Sequence, residues 1–284
     1  MDNRIKSFEG KTALITGGSS GIGMELARLL SRAGVQVRLL ARRKEPLESA
    51  IKLLEPLHGG KHGTVVCDVS KWDQVQTAVQ QVRDDIGVPD YLINAAGVTH
   101  PGYVNEIPLQ IYHEMMDINY FGTVHMVKEL LPDMLERGNG HIVIISSASG
   151  FVTGPSYGAY SPSKYAVRGF SDVLRAEIKP FGLRTSLVFP PDTDTPQLAY
   201  EKSHQTPEFR KFTDDAGLGP LKFGVYSSEY VAKAILDGMQ HGRYIIVPGV
   251  PNKIFYRLVG FLGNLVYSIT DDEWAAARRK TGKK

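Results

Sequence analysis

Tyr160 and Lys164 stand four residues apart in the run YSPSK, at the head of a helical pattern. Positions i and i+4 share one face of a helix, so a phenol and an ammonium at this spacing point into one site. A free tyrosine titrates near ~10 and is a poor base at neutral pH. An adjacent cation favours the phenolate and lowers that value. In the reducing direction the same phenol hands a proton to a carbonyl oxygen. Ser147 ends an apolar run thirteen residues before Tyr160, where its hydroxyl can hold the substrate oxygen beside the phenol. A Tyr and a Lys four apart also occur as surface pairs, so the pair takes its meaning from its setting.

A second cluster lies near the start of the chain, where an apolar run leads into TGGSSGIG at 16–23 and then a helical pattern. Gly17 permits a tight turn, Gly21 removes a side chain where main chain must approach a pyrophosphate, and Gly23 lets the helix pack closely on a sheet. The helix start at Ser20, Gly21 and Ile22 offers free N–H groups and partial positive charge to phosphates. The next apolar run ends in Ala41-Arg42-Arg43-Lys44. A site for NAD carries an acid at this point, accepting hydrogen bonds from the ribose hydroxyls. A guanidinium suits a 2′-phosphate instead. Arg42, with Ser19 as a neutral helper and Arg43 beside it, is expected to read that phosphate, which makes NADPH/NADP+ the expected cofactor. The plain alternative is a solvated helix start, but cations there oppose the helix dipole.

These residues need a scaffold. Short Val/Ile/Leu runs at 12–16, 36–41, 64–68, 91–94, 141–146, 184–189 and 244–247 fit strands buried on both faces. Amphipathic segments at 21–33, 45–57, 72–86, 109–135 and 161–179 lie between them. This alternation predicts an α/β fold: a Rossmann-type, doubly wound parallel sheet of seven strands with helices on both faces. With no internal repeat and no linker, residues 1–284 read as one domain.

Composition excludes several classes. The formal net charge of +3 is too small to argue for nucleic acid. The single cysteine, Cys67, lies in the apolar run TVVCDV and reads as a buried, inert thiol. The histidines show no metal-ligand spacing with carboxylates or Cys67, so no metal is expected. No apolar h-region precedes the first strand and no run of eighteen uncharged apolar residues occurs. A cytoplasmic rather than secreted protein is expected.

Four motifs, in order, resemble the short-chain dehydrogenase/reductase family across residues 11–247: TGGSSGIG at 16–23, NAAG at 94–97, Asn119 in DINYFGT, and Ser147 with Tyr160 and Lys164. The resemblance implies hydride transfer between a nicotinamide and a carbonyl or alcohol carbon. It implies that Asn119 anchors a water linked to Lys164, completing a tetrad, and that Lys164 also holds the nicotinamide ribose. Asn94, Ala95 and Gly97 would line the adenosine side, and Asp68 with Val69 would flank the adenine. Pro190, Thr193 and Thr195 would meet the nicotinamide carboxamide, although Pro191 stands where the family has Gly, which stiffens the backbone and removes a donor. Pairing through the long helices, as a homo-oligomer, is also implied.

FPPDTDTP, LLARR, INYFGT and SPSKYAVRGFSDVLRAEIKP are similar to the corresponding stretches of 3-ketodihydrosphingosine (3-dehydrosphinganine) reductases. That branch of the family implies an apolar, long-chain keto-lipid substrate and sphingolipid metabolism. A steroid, a retinoid or a 3-oxoacyl thioester fits the same catalytic motifs, and a nucleotide-binding protein without chemistry is a further reading against which the intact Ser147, Tyr160 and Lys164 argue. Two regions carry the choice. Residues 196–222 are polar and read as a substrate lid or mobile loop. Residues 251–284 form an amphipathic extension in which Ile254, Phe255, Leu258, Val259, Leu262, Leu265, Val266 and Ile269 recur at helical spacing among basic residues. Such a helix either lies in a membrane interface as a peripheral contact or packs on the protein itself.

Overall fold

The computed structural model describes residues 5–57, 60–215, 217–218 and 221–282. Strands β1 (Thr12–Thr16), β2 (Gln36–Ala41), β3 (Gly63–Val66), β4 (Tyr91–Asn94), β5 (His141–Ile145) and β6 (Arg184–Val188) join Ile245–Ile246 in a seven-stranded sheet. Its order is Ile245–Ile246, β6, β5, β4, β1, β2, β3, and every pairing is parallel. Successive strand residues point to opposite faces. Leu14 of β1 and Leu92 of β4 therefore join one apolar core, and Ala13, Ile15, Tyr91 and Ile93 the other.

Helices α1 (Gly21–Arg32), α2 (Lys44–Ile51) and α9 (Ser228–Gln240) cover one face, burying Leu26, Leu30, Leu47, Val231 and Ile235. Helices α3 (Trp72–Ile86), α5 (Gly122–Arg137) and α6 (Tyr160–Ile178) cover the other with Val75, Val79, Met126, Leu130, Val167 and Leu174. The strand order reverses between β1 and β4, and their carboxyl ends open a crevice at that switch point.

Three elements depart from the bounds the sequence suggests. The helix expected over 109–135 is α4 (Leu109–Met115), a π-helical turn (Met116–Phe121) and then α5. One extra residue per turn there rotates Asn119 inward, to 1% exposure. The third strand stops at Val66 because Asp68 turns the chain, accepting from the Ser70 N–H and hydroxyl at 3.0 and 2.8 Å. The helix expected over 45–57 ends at Ile51.

The described residues of 196–222, read as a lid or mobile loop, include two helices. Thr195 caps α7 (Pro196–His204) by accepting from the Leu198 N–H, and α8 (Pro207–Asp215) follows with Phe209 fully buried. A short hairpin then pairs Gly217–Leu218 with Leu221–Lys222.

The C-terminal helix α10 (Val250–Lys280) is kinked at Gly263, where φ is +33°. Its apolar residues form two adjacent rows rather than the single stripe expected. Phe255, Val259, Leu262 and Val266 pack on the core. Ile254, Leu258, Phe261 and Leu265 face outward, and Phe261 is 90% exposed. Beyond the kink Trp274 packs on Tyr103 and Phe212, with ring centres 6.1 and 5.9 Å apart, and holds the helix against α8. No helix of the described residues is long and apolar enough to cross a membrane.

Candidate active site

A cavity of about 610 Å³ opens at the switch point. Its wall includes Gly17, Ser19, Ser20, Gly21, Ile22, Gly23, Arg42, Arg43, Asp68, Val69, Ala95 and Gly97 from the β1, β2, β3 and β4 ends. It also includes Ser147, Tyr160, Lys164, Pro190, Thr193 and Thr195. Asn94 and Asn119 lie behind the wall, at 3% and 1% exposure. Asn94 ends β4 inside the sheet, with both amide atoms unpartnered among the described residues.

Main chain shapes one end of this cavity. Gly17 has φ +65°, and a Cβ there would sit 2.7 Å from the Ala95 carbonyl oxygen; one on Gly23 would sit 2.5 Å from the Gly17 carbonyl oxygen. No other residue allows β1, the turn and α1 to approach this closely. The Thr16 hydroxyl accepts from the Ala95 and Ala96 N–H groups at 3.1 and 3.0 Å, tying the NAAG run to the end of β1. Helix α1 begins at an extended Ser20 with no side-chain cap and no acid in its first turn. Its first N–H groups are left for an anion, which fits a pyrophosphate. Arg42 and Arg43 are exposed on the wall and form no ion pair among the described residues, whereas Lys44 pairs with Glu48 at 3.5 Å. A free guanidinium beside this cradle fits a phosphorylated adenosine ribose.

The other end is built from buried side chains. Tyr160 and Lys164 lie in the first turns of α6, at 6% and 4% exposure. The Lys164 ammonium donates to the Ile145 carbonyl at 3.2 Å and lies 5.8 Å from the centre of the Tyr160 ring. Behind them the Asn119 amide donates to the Val98 carbonyl at 3.0 Å and to Ser163 at 2.9 Å, and its oxygen accepts from the Val98 N–H at 2.8 Å. A Cβ on Gly97 would lie 3.2 Å from both the Asn119 oxygen and the Lys164 nitrogen, so Gly97 is where the two side chains converge. Ser147 accepts from the Ser149 N–H at 3.1 Å, which leaves its own proton free to donate.

Burial controls the titration of this end. It pushes the Tyr160 phenol well above its ordinary value; the charges of Glu201 and Asp192 push the same way, while hydrogen bonds with Ser147 and Gln197 oppose. This reverses the lowering expected from a lysine four residues away. The ammonium lies over the ring, 5.8 Å from its centre, and desolvation is the largest influence on the phenol. Desolvation also brings Lys164 down to about 8. A phenol held neutral in this way is suited to donate a proton. Cys67 is buried outside this chemistry, with its thiol pushed up to about 12.

Thr193 and Thr195 reach the cavity with their hydroxyls already engaged. Thr193 donates to the Pro191 carbonyl at 2.7 Å, and Thr195 donates to the Thr193 carbonyl at 3.1 Å while capping α7. Sequence reasoning missed Thr99, Tyr157, Gln197 and Glu201, all on the cavity wall. Gln197 and Glu201 stand four apart in α7, but no local spacing joins them to Thr99 or Tyr157.

Residues 11–206 match the short chain dehydrogenase family. The chain belongs to this family and is an oxidoreductase that uses a nicotinamide cofactor. It is 35% identical over 284 residues to a 3-ketodihydrosphingosine reductase of Dictyostelium discoideum, covering 93% of this chain and 82% of that protein. It is 33% identical over 241 residues to a 3-dehydrosphinganine reductase of Danio rerio, covering 84% and 70%. Among solved structures it is similar to an actinorhodin polyketide ketoreductase variant with NADPH, at 26% identity and a TM-score of 0.74, covering 88% of this chain and 99% of that one.

Proposed function

We propose that this protein reduces 3-ketosphinganine to sphinganine with NADPH. One observation carries the cofactor choice: Arg42 and Arg43 lie on the cavity wall without an acidic partner, where an acid would select NAD. The substrate reading is supported by the names of the relatives quoted above. Glycine-turn main chain and the start of α1 would hold the pyrophosphate, Arg42 and Arg43 the 2′-phosphate, and Lys164 the nicotinamide ribose. When bound, the nicotinamide supplies the hydride for the carbonyl carbon.

The chain's own residues do the rest. Ser147 donates a hydrogen bond to the ketone oxygen and fixes it beside Tyr160. As charge grows on that oxygen, Tyr160 delivers the proton, and positive Lys164 steadies the phenolate left behind. Asn119 keeps Gly97 and Val98 in register with Lys164. Helices α7 and α8 act as a lid that excludes water, carrying Gln197 to the Tyr160 hydroxyl.

We further propose that the outward row Ile254, Leu258, Phe261 and Leu265, with Lys253 and Arg257 beside it, rests on an anionic membrane surface from which the lipid substrate enters. The test of the principal reading is steady-state reduction of 3-ketosphinganine by purified protein, with NADPH and with NADH. Sphinganine formation with a clear NADPH preference is expected. Equal use of NADH would remove the cofactor assignment, and no sphinganine would remove the substrate assignment.

A further inference from the structure

Glu201 is a carboxylate buried to 7% exposure on the wall of a cavity proposed to receive a lipid. A charge in such a place is costly unless a partner compensates it. Neutral groups hold it: Thr99 donates to one oxygen at 3.3 Å, Tyr157 donates to the other, and Gln205 reaches that same oxygen at 3.5 Å. Among the described residues no cation pairs with it. Burial raises its pKa, and the nearby charge of Asp192 adds to this. The three donors leave acceptor capacity unused, since an ionised carboxylate offers about four lone-pair sites.

Glu201 also stands close to the reacting atoms. The Tyr157 ring that donates to it packs on the Tyr160 ring with centres 5.7 Å apart. Its charge is felt at the Tyr160 hydroxyl, as is that of Asp192 at the start of the segment leading to α7. The reacting end thus holds two carboxylates, and Lys164 is the cation of that wall closest to Tyr160. A neutral ketone has no use for this field. An amino ketone with nitrogen on the carbon next to the carbonyl brings an ammonium to the carboxylates when its oxygen reaches Tyr160.

We infer that Glu201 is the specificity-determining residue for an amino ketone: held by Thr99 and Tyr157 beside Tyr160, its carboxylate receives the substrate ammonium and sets the carbonyl against the phenol. This rests on the proposed reduction of a 3-keto amino lipid and adds the group that recognises its amine. A site built for a charged group discriminates strongly against an analogue lacking it, because its own polar atoms are left unpaired.

The experiment compares kcat/KM for 3-ketosphinganine and for the 1-hydroxy-3-ketone of equal length lacking the amine, in wild type, Glu201→Gln and Tyr157→Phe. Wild type should prefer the amino ketone. Glu201→Gln should lower that preference by about tenfold or more, the scale of a hydrogen bond to a charged group; its effect on the Tyr160 phenol falls on both substrates and cancels from the ratio. Tyr157→Phe weakens the latch but keeps the carboxylate, so it should lower both substrates together and retain the preference. A preference unchanged in Glu201→Gln overturns the inference while leaving the reductase reading intact. Failure of wild type to reduce 3-ketosphinganine defeats that reading instead. A second measurement needs no variant: dodecylamine should inhibit the wild-type enzyme competitively against the ketone at concentrations where dodecanol does not, and equal inhibition overturns the inference.

Discussion

The two ends of the cavity are built on opposite principles. At the end proposed for the phosphates, main chain would do the binding: a glycine turn, an uncapped helix start and exposed guanidiniums that need no second support. At the reacting end side chains from α6, α7 and the segments after β4 and β5 meet, with Thr99, Tyr160, Lys164 and Glu201 buried and Ser147, Tyr157 and Gln197 half-buried. The difference has a physical reason. A phosphate is bound by N–H groups and charge that work while half solvated. A proton transfer needs donors and charges fixed in a dry setting, where each is worth more and each unpaired one costs more. The phosphate end can therefore lose a contact and still bind, whereas the reacting end fails when one atom is removed.

Deleting one atom at the reacting end is the largest expected effect. Tyr160→Phe should cut turnover by at least ~100-fold, the scale of general acid catalysis, with cofactor affinity nearly unchanged in a fluorescence titration. A parallel loss of cofactor affinity would mean the two ends are not separable. Lys164 is where they join, and its free-state titration has a sign that can be checked. Its folded value of about 8 lies below the ordinary 10.5. Between those values the unfolded chain holds more protons, so the lysine's contribution to stability rises with pH across that window; below it the buried ammonium is a constant cost. Lys164→Met removes that cost. The cofactor-free variant should be more stable than wild type near pH 7 by roughly 1–4 kcal/mol and should lose the rise above pH 8 in urea titrations, while turnover collapses. A variant less stable at neutral pH would show that the bond to the Ile145 carbonyl outweighs the desolvation of the ammonium.

The same division explains what was legible in the sequence. The alternation of apolar runs and amphipathic segments is local, and it placed all seven sheet strands to within a few residues. TGGSSGIG and the Tyr160–Lys164 spacing are local too, because a turn and a helix face are each set by a few neighbours. Glu201 was hidden because its partners Thr99 and Tyr157 lie 102 and 44 residues away, and only the packing of α7 joins them. The π turn at Asn119 was equally invisible: a helical pattern does not record one extra residue per turn. Charge made 196–222 read as a lid or mobile loop rather than as helices, because the buried Glu201, Glu208 and Phe209 cannot be told from surface residues without their partners. The apolar stripe of the last helix was visible, but not its division into a core row and an outward row.

Smaller effects sharpen the contrast from the other side. Arg42→Asp should lower kcat/KM with NADPH by about tenfold or more, the loss of a charge-assisted contact, and change it little with NADH. An equal fall with both cofactors would mean that this arginine supports the fold of the turn rather than reading a phosphate. The smallest expected change lies farthest from the chemistry. Phe261 is 90% exposed, so Phe261→Asp should leave stability within ~0.5 kcal/mol while reducing co-sedimentation with anionic liposomes at low salt. This is a cleaner probe than ending the chain at Pro251, which also removes the core residues Phe255 and Val266. Unchanged liposome binding would assign the outward row to another surface.

On the proposed reading, one cavity brings an NADPH nicotinamide and a keto amino lipid together at Tyr160. Transfer of isotope tests it most directly. Purified protein is given unlabelled 3-ketosphinganine and NADPH carrying deuterium at both positions of the nicotinamide C4, and the product is analysed by mass spectrometry. The account predicts sphinganine with one deuterium on C3, formed in step with NADPH oxidation and lost with Tyr160→Phe. NADPH oxidation with the ketone left unreduced, or sphinganine without the label, would contradict it.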